Sequence, residues 1–214
     1  KALDIRTHLA DSPEVKGDLA GTLTNLGNLA EHSGKFSEAV SLYKRSLEIQ
    51  TALNDQIQMG VNYNNLGLVF SRMNRFKPAD SCLQQSIALK RVTGDQKGLG
   101  TSFNHLAELY SRHGEWETMD RMLDSALIYA TKVEAKDLLV DYYRLSQEYF
   151  ESIQDYQSAL HASKKLAGLK DSIYREDVQQ RLFNAEARLQ TERARRTSAQ
   201  LELKNQTQIN KLQL

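Results

Sequence analysis

Residues 64–79 read "NNLGLVFSRMNRFKPA". The same phrase stands 40 residues earlier as "TNLGNLAEHSGKFSEA" (24–39) and 40 later as "NHLAELYSRHGEWETM" (104–119). Self-similarity at a fixed spacing is the mark of a repeat architecture. The steps Leu26-Gly27, Leu66-Gly67, Leu106-Ala107 and Leu145-Ser146 recur at intervals of 40, 40 and 39. Three residues before each Leu stands Leu23, Tyr63, Phe103 or Tyr142. Gly34, Asn74 and Gly114 follow each phrase, then Phe36, Phe76, Trp116 and Tyr156, then Ala39, Ala79, Met119 and Ala159. Apolar pairs close each unit at helical spacing: Tyr43 and Leu47, Leu83 and Ile87, Leu123 and Leu127.

Each unit therefore reads helix, tight turn, helix. Gly27 and Ala39 are small where the two helices must approach closely. Gly34 and Asn74 suit the left-handed backbone that ends a first helix. One hairpin cannot bury its apolar stripe alone, but stacked neighbours can. The expected fold is all-α: a right-handed superhelical solenoid of antiparallel helix pairs, with repeats of about 40 residues and a long C-terminal helix. The expected divisions are 1–16, the second helix of a truncated repeat ("ALDIRTHLADS"); 17–170, four repeats (17–56, 57–96, 97–135 and 136–170); and 171–214, a long polar helix.

Composition narrows the function. The chain has 214 residues, 28 Lys and Arg against 27 Asp and Glu, and a formal charge of +1. That near-neutral balance argues against a nucleic-acid binder built on a basic surface. No run of eighteen apolar residues crosses a membrane. The start at Lys1 without an initiator Met reads as a fragment of a longer protein. The single cysteine, Cys82, offers no internal disulfide. After Asp171 the sequence contains neither Gly nor Pro. Leu182, Leu189 and Leu203 fall on a seven-residue recurrence broken by Arg196, a thin coiled-coil seam that predicts a homodimer through this helix.

The Leu-Gly/Ala step, the aromatic after the turn and the Ala three residues beyond it resemble the tetratricopeptide repeat, over roughly residues 18–170. The forty-residue period resembles the repeats of kinesin light chains and of several bacterial regulators. Residues 141–205, with their "LKDS" step into a polar helix, are similar to the end of the repeat domain in Bacteroidetes-type sensor proteins. A membrane span and a histidine kinase or DNA-binding module usually follow there. The resemblance implies a non-catalytic protein- or peptide-binding and signal-sensing domain; it suggests a periplasmic location, with the cytoplasm as alternative. A plain assembly scaffold is the alternative function.

A search for chemistry finds no catalytic constellation. "GDQKGLG" (94–100) lacks the Lys-Ser/Thr ending of a phosphate loop and reads as a connection between units. His8, His32, His105, His113 and His161 show no i, i+4 metal pair, so neither metal nor cofactor is expected. In the tetratricopeptide fold the first helices line a concave groove. The candidate groove residues are Asn25, Asn28, Asn64, Asn65, Arg72, Asn104, His105, Arg112, Tyr143 and Arg144. Stacking should set Asn25 beside Asn65 and Asn64 beside Asn104. Asn amides both donate and accept, which suits an extended peptide backbone. Asn28 and Asn65 match the two asparagines of the carboxylate clamp of co-chaperone repeat domains. Its basic positions here hold Thr24, Thr101 and His105, so an internal segment fits better than a peptide C-terminus.

Overall fold

The structure, a computed structural model, describes the backbone of residues 12–212 and the side chains of residues 12–200. Among these there are eight helices and no strand. They are α1 (Pro13–His32), α2 (Phe36–Ala52), α3 (Gln56–Arg72), α4 (Phe76–Thr93), α5 (Gln96–Arg112), α6 (Trp116–Lys132), α7 (Lys136–Ser152) and α8 (Tyr156–Leu212). Odd-numbered helices are the first members of the hairpins and even-numbered helices the second, which makes a solenoid of helix pairs.

The connections explain the fixed period. Gly34, Asn74, Gly114 and Gln154 all take positive φ, as do Asn54, Gly94 and Glu134 between hairpins. After each turn an amide reaches back five residues to close the preceding helix: Lys35 to Ala30, Arg75 to Phe70, Glu115 to Tyr110 and Asp155 to Phe150. The stretch 94–100 is barely a loop. Gly94 ends α4, Asp95 caps α5 by accepting the Gly98 amide at 2.8 Å, and the helix begins at Gln96.

Close approach inside the hairpins demands small residues. A Cβ on Gly27 would lie 2.5 Å from the Tyr43 ring, and one on Gly67 would lie 2.6 Å from Leu83 Cγ. The continuous core runs through Tyr43, Leu66, Val69, Leu83, Leu99, Leu106 and Leu109. A second cluster joins Ala107, Met119, Leu123 and Leu145. The edge of the first hairpin differs. Leu26 is 47% exposed, whereas its counterparts Leu66 and Leu106 are buried.

Two expected boundaries move. Residues 1–11 of the expected truncated repeat lie outside the described residues. Of the remainder, Ser12 caps α1 by accepting the Val15 amide and Pro13 opens the helix, so 12–16 belong to the first helix of the first hairpin. At the other end no break separates 170 from 171: α8 runs for 57 residues. The chain divides into two units, residues 1–166 and 167–214. In the second, residues 179–200 are exposed throughout.

The interval of 39 has a structural meaning. The turns of the fourth hairpin keep the 40-residue spacing, but the buried stripe of α7 (Leu138, Leu145, Ser146) lies 39 residues after that of α5 (Leu99, Leu106, Ala107). The helix is therefore turned by about 100° about its own axis, one residue's worth.

Candidate functional site

The candidate residues occupy α1, α3, α5 and α7, and the structure sorts them into two layers. Asn64 and Asn104 are buried and cannot face a ligand. Asn64 Oδ1 accepts from Ser102 Oγ at 3.0 Å and stands 3.1 Å from His105 Nδ1. Asn104 Nδ2 donates to the Leu138 carbonyl at 3.1 Å, while its Oδ1 has no partner. These two asparagines tie each first helix to the next, which corrects their assignment to the groove. They do not pair with each other. Asn25 is exposed, but the partner of Asn65 is Asn28, at 3.3 Å, rather than Asn25.

The outer layer is a row of polar side chains braced across hairpins. Tyr43 Oη lies 2.8 Å from Asn28 Oδ1 and 2.9 Å from Glu31 Oε2; its single proton serves one acceptor at a time. Burial first, and the Glu31 carboxylate second, raise the Tyr43 phenol above its ordinary range, so it stays a donor. Glu31, almost wholly buried, holds Arg72 at 2.9 Å, and the Arg72 side chain remains 38% exposed. One repeat on, Glu108 anchors Arg112 at 2.9 Å and Arg144 at 3.6 Å, with Asp141 4.0 Å from Arg144. Arg112 and Arg144 keep 46% and 45% of their side chains exposed. His105 sits among Asn64, Glu108, Arg72 and Arg144. Burial outweighs the pull of Glu108 and pushes its imidazole down to about 4, so it is neutral at physiological pH. Half-buried Tyr143 meets Tyr142 edge-on, with ring centroids 5.0 Å apart.

Glu31, Tyr43 and Asp141 were missed as supporting residues. The roles of Glu31 and Tyr43 depend on burial and on partners 12 to 41 positions away, which no local spacing shows, whereas Asp141 is exposed and stands only three residues before Arg144 on the same helix. Of the expected dimerisation residues, Leu182 and Leu189 are exposed, and Leu203 lies outside the described side chains. Arg196 pairs with Glu192 at 2.7 Å along its own helix. Cys82 is half-buried, and burial raises its thiol. Among the described residues no three His, Cys, Asp or Glu cluster to hold a metal, and no helix is long and apolar enough to cross a membrane.

The tetratricopeptide repeat family profile matches residues 18–92. The chain is also similar in fold to solved structures. BtubC (BKLC) from P. vanneervenii superposes with a TM-score of 0.66 at 19% identity, over 76% of this chain and 66% of that one. A putative kinesin light chain of Podosopora anserina with nearly identical TPR-like repeats gives 0.55 at 15% identity, over 73% and 77%. A second crystal structure of that protein, carrying one substitution, gives 0.57 at 16% identity, over 73% and 76%. This chain thus spans slightly under two thirds of BtubC. No curated protein matches the sequence. The profile match over residues 18–92 and these folds together support a tetratricopeptide-repeat domain, and tetratricopeptide repeats imply a protein-interaction scaffold.

Proposed function

We propose that the chain is an interaction module that holds a protein segment or extended peptide against the outer polar row of its first helices. One observation carries this reading: two carboxylates, Glu31 buried and Glu108 partly buried, fix three arginines while leaving them exposed. Glu31 orients Arg72, and Glu108 orients Arg112 and Arg144. Side chains already held in place lose less freedom on binding, so their hydrogen bonds to a partner's backbone carbonyls or carboxylates count for more. Asn25 and Asn65 add amides that donate and accept. Asn28 braces Asn65, and Tyr143 and Arg144 close the row.

A displayed library of random linear peptides, selected on the whole chain, tests this. Selected peptides should lose most of their affinity for the double variant Asn65→Ala, Arg112→Ala, whose melting temperature stays near that of the parent. Binding that survives the double change, and disappears when exposed second-helix residues such as Glu48, Gln84 and Asp124 are altered, contradicts it.

A finer reading makes the module the sensor part of a bacterial two-component histidine kinase or transcriptional regulator, with two chains paired through Leu182, Leu189 and Leu203. It draws on the unbroken run of α8, a rod about 85 Å long. Sedimentation of the chain with and without residues 178–214 checks the pairing. A dimer that persists without them moves the interface to the repeats.

A further inference from the structure

The fourth hairpin departs from the other three at the positions that fill the gap between paired helices. Leu42, Cys82 and Met122 stand at equivalent places on α2, α4 and α6 and pack against the core. The next position of that series is Ala162. The neighbouring series, Tyr43, Leu83 and Leu123, ends in Ser163. Small residues replace large ones twice, on a hairpin whose first helix is also turned by one residue. Between α7 and α8 a cleft of about 290 Å³ is left open. Tyr142, Tyr143, Phe150 and Ala162 form its apolar walls, and Ser146, Ser158 and His161 supply polar atoms. Neither a carboxylate nor an ammonium or guanidinium lines it.

Ser146 makes this more than a packing defect. Its hydroxyl is buried and makes no hydrogen bond of ordinary geometry, the Tyr142 phenol being its near polar neighbour. A buried hydroxyl without a partner costs free energy that a bound polar group would return. The earlier hairpins place Gly27, Gly67 and Ala107 at the matching step and bury no side-chain polar atom there.

We propose that this cleft is a binding site for a neutral aromatic group, phenol- or indole-sized, whose polar substituent meets the Ser146 hydroxyl. The volume holds one such group, aromatic walls favour stacked or edge-on rings, and the missing charges exclude an ionic head. The group comes either from a free small molecule or from an aromatic side chain of a bound protein.

Titration of the ¹⁵N-labelled chain with p-cresol, 3-methylindole and toluene, followed by amide resonances, is the test. Saturable shifts confined to 142–150 and 158–162 are expected with p-cresol and 3-methylindole, with dissociation constants on the order of millimolar for ligands this small. Toluene should bind several-fold more weakly, and Ser146→Ala should remove that difference. Ala162→Met, which restores the residue type of the third hairpin, should abolish the shifts without lowering the melting temperature. A capped Gly-Tyr-Gly peptide separates the sources: binding assigns the site to a partner's side chain, and exclusion of the peptide while p-cresol enters assigns it to a small molecule. Shifts that never saturate, fall elsewhere, or persist in Ala162→Met overturn the proposal, and equal binding of toluene overturns the role given to Ser146. The Asn65→Ala, Arg112→Ala variant should bind p-cresol like the parent, so this site and the polar row fail or stand separately.

Discussion

The junctions between successive hairpins occupy equivalent places and are built from different chemistry. At the first, Ser46, Gln50, Asn62 and Thr24 form a buried neutral network. Asn62 Nδ2 donates to Gln50 Oε1 at 2.8 Å and to Ser46 Oγ at 2.9 Å, and Ser46 Oγ donates to the Ala20 carbonyl at 2.7 Å. At the second, Ser86 repeats the last bond to Gly60, but Lys90 replaces Gln50. Its ammonium donates to Ser102 Oγ at 2.9 Å and to the Gly98 carbonyl at 3.2 Å. At the third, Ala126 and Ala130 leave no polar side chain to match. One backbone spacing therefore accepts a neutral network, a buried charge, or alanine packing with a single buried side-chain bond from Asn104 to Leu138. The repeat specifies shape, while polar satisfaction is solved locally at each joint.

The largest expected effect removes what the joints share. Leu66→Asp would place an unpaired charge in the continuous core and should cost about 4 kcal/mol or more, seen as a collapse of the thermal transition. A melting temperature close to that of the parent would remove Leu66 from the core.

The next effect exchanges the chemistry of two joints. Rebuilding the first network at the second, by Lys90→Gln with Ser102→Asn, should stabilise the chain at pH 7 by about 1–3 kcal/mol. Burial pulls the Lys90 ammonium down to about 8, against a nearby Asp95 that pulls it up. Below that pH both folded and unfolded chains carry the proton, and the cost of burying the charge is present in full. Between about 8 and the unfolded value near 10.4 the unfolded chain binds more protons, so parental stability rises with pH. The variant's advantage should shrink over that window in chemical denaturation. An advantage that grows with pH would reverse the assignment.

Smaller again is the acid side. His105 is neutral in the folded chain down to about 4 and ordinarily titrates near 6.5 when unfolded. Its contribution is complete above about 6.5 and is lost as pH falls toward 4, with a slope of up to about one proton. His105→Asn should flatten that slope. The same slope in the variant would place the sensitive group elsewhere.

The smallest effect lies at the third joint. Asn104→Ala loses one bond to the Leu138 carbonyl but also removes an unpartnered buried oxygen, so the net change should stay within about 1 kcal/mol. A loss of several kcal/mol would show that Asn104 holds the joint as a full network does.

These contrasts also show what the sequence could tell. The hairpins were legible because Gly34, Asn74 and Gly114 mark turns that need positive φ, and because Gly27 and Gly67 sit where a Cβ would collide. Glu134 and Gln154 take the same backbone without the residue types that announce it. The interval of 39 was visible, but only the fixed turns show that it means a rotated helix. In the site, Arg72, Arg112 and Arg144 were readable as exposed positions of first helices. Asn64 and Asn104 share nearly the same helical phase and differ from Asn25 and Asn65 by one residue. That is enough to carry a side chain from the surface into the joint.

The central claim is that the outer polar row of the first helices receives a partner's chain. Hydrogen exchange of the whole protein with a library-selected peptide, with and without Asn65→Ala and Arg112→Ala, tests it most directly. Protection should appear along α1, α3, α5 and α7, centred on Asn65, Arg72, His105 and Arg112, and should vanish in the double variant. Protection confined to α2, α4 and α6 and unchanged in that variant would contradict the account.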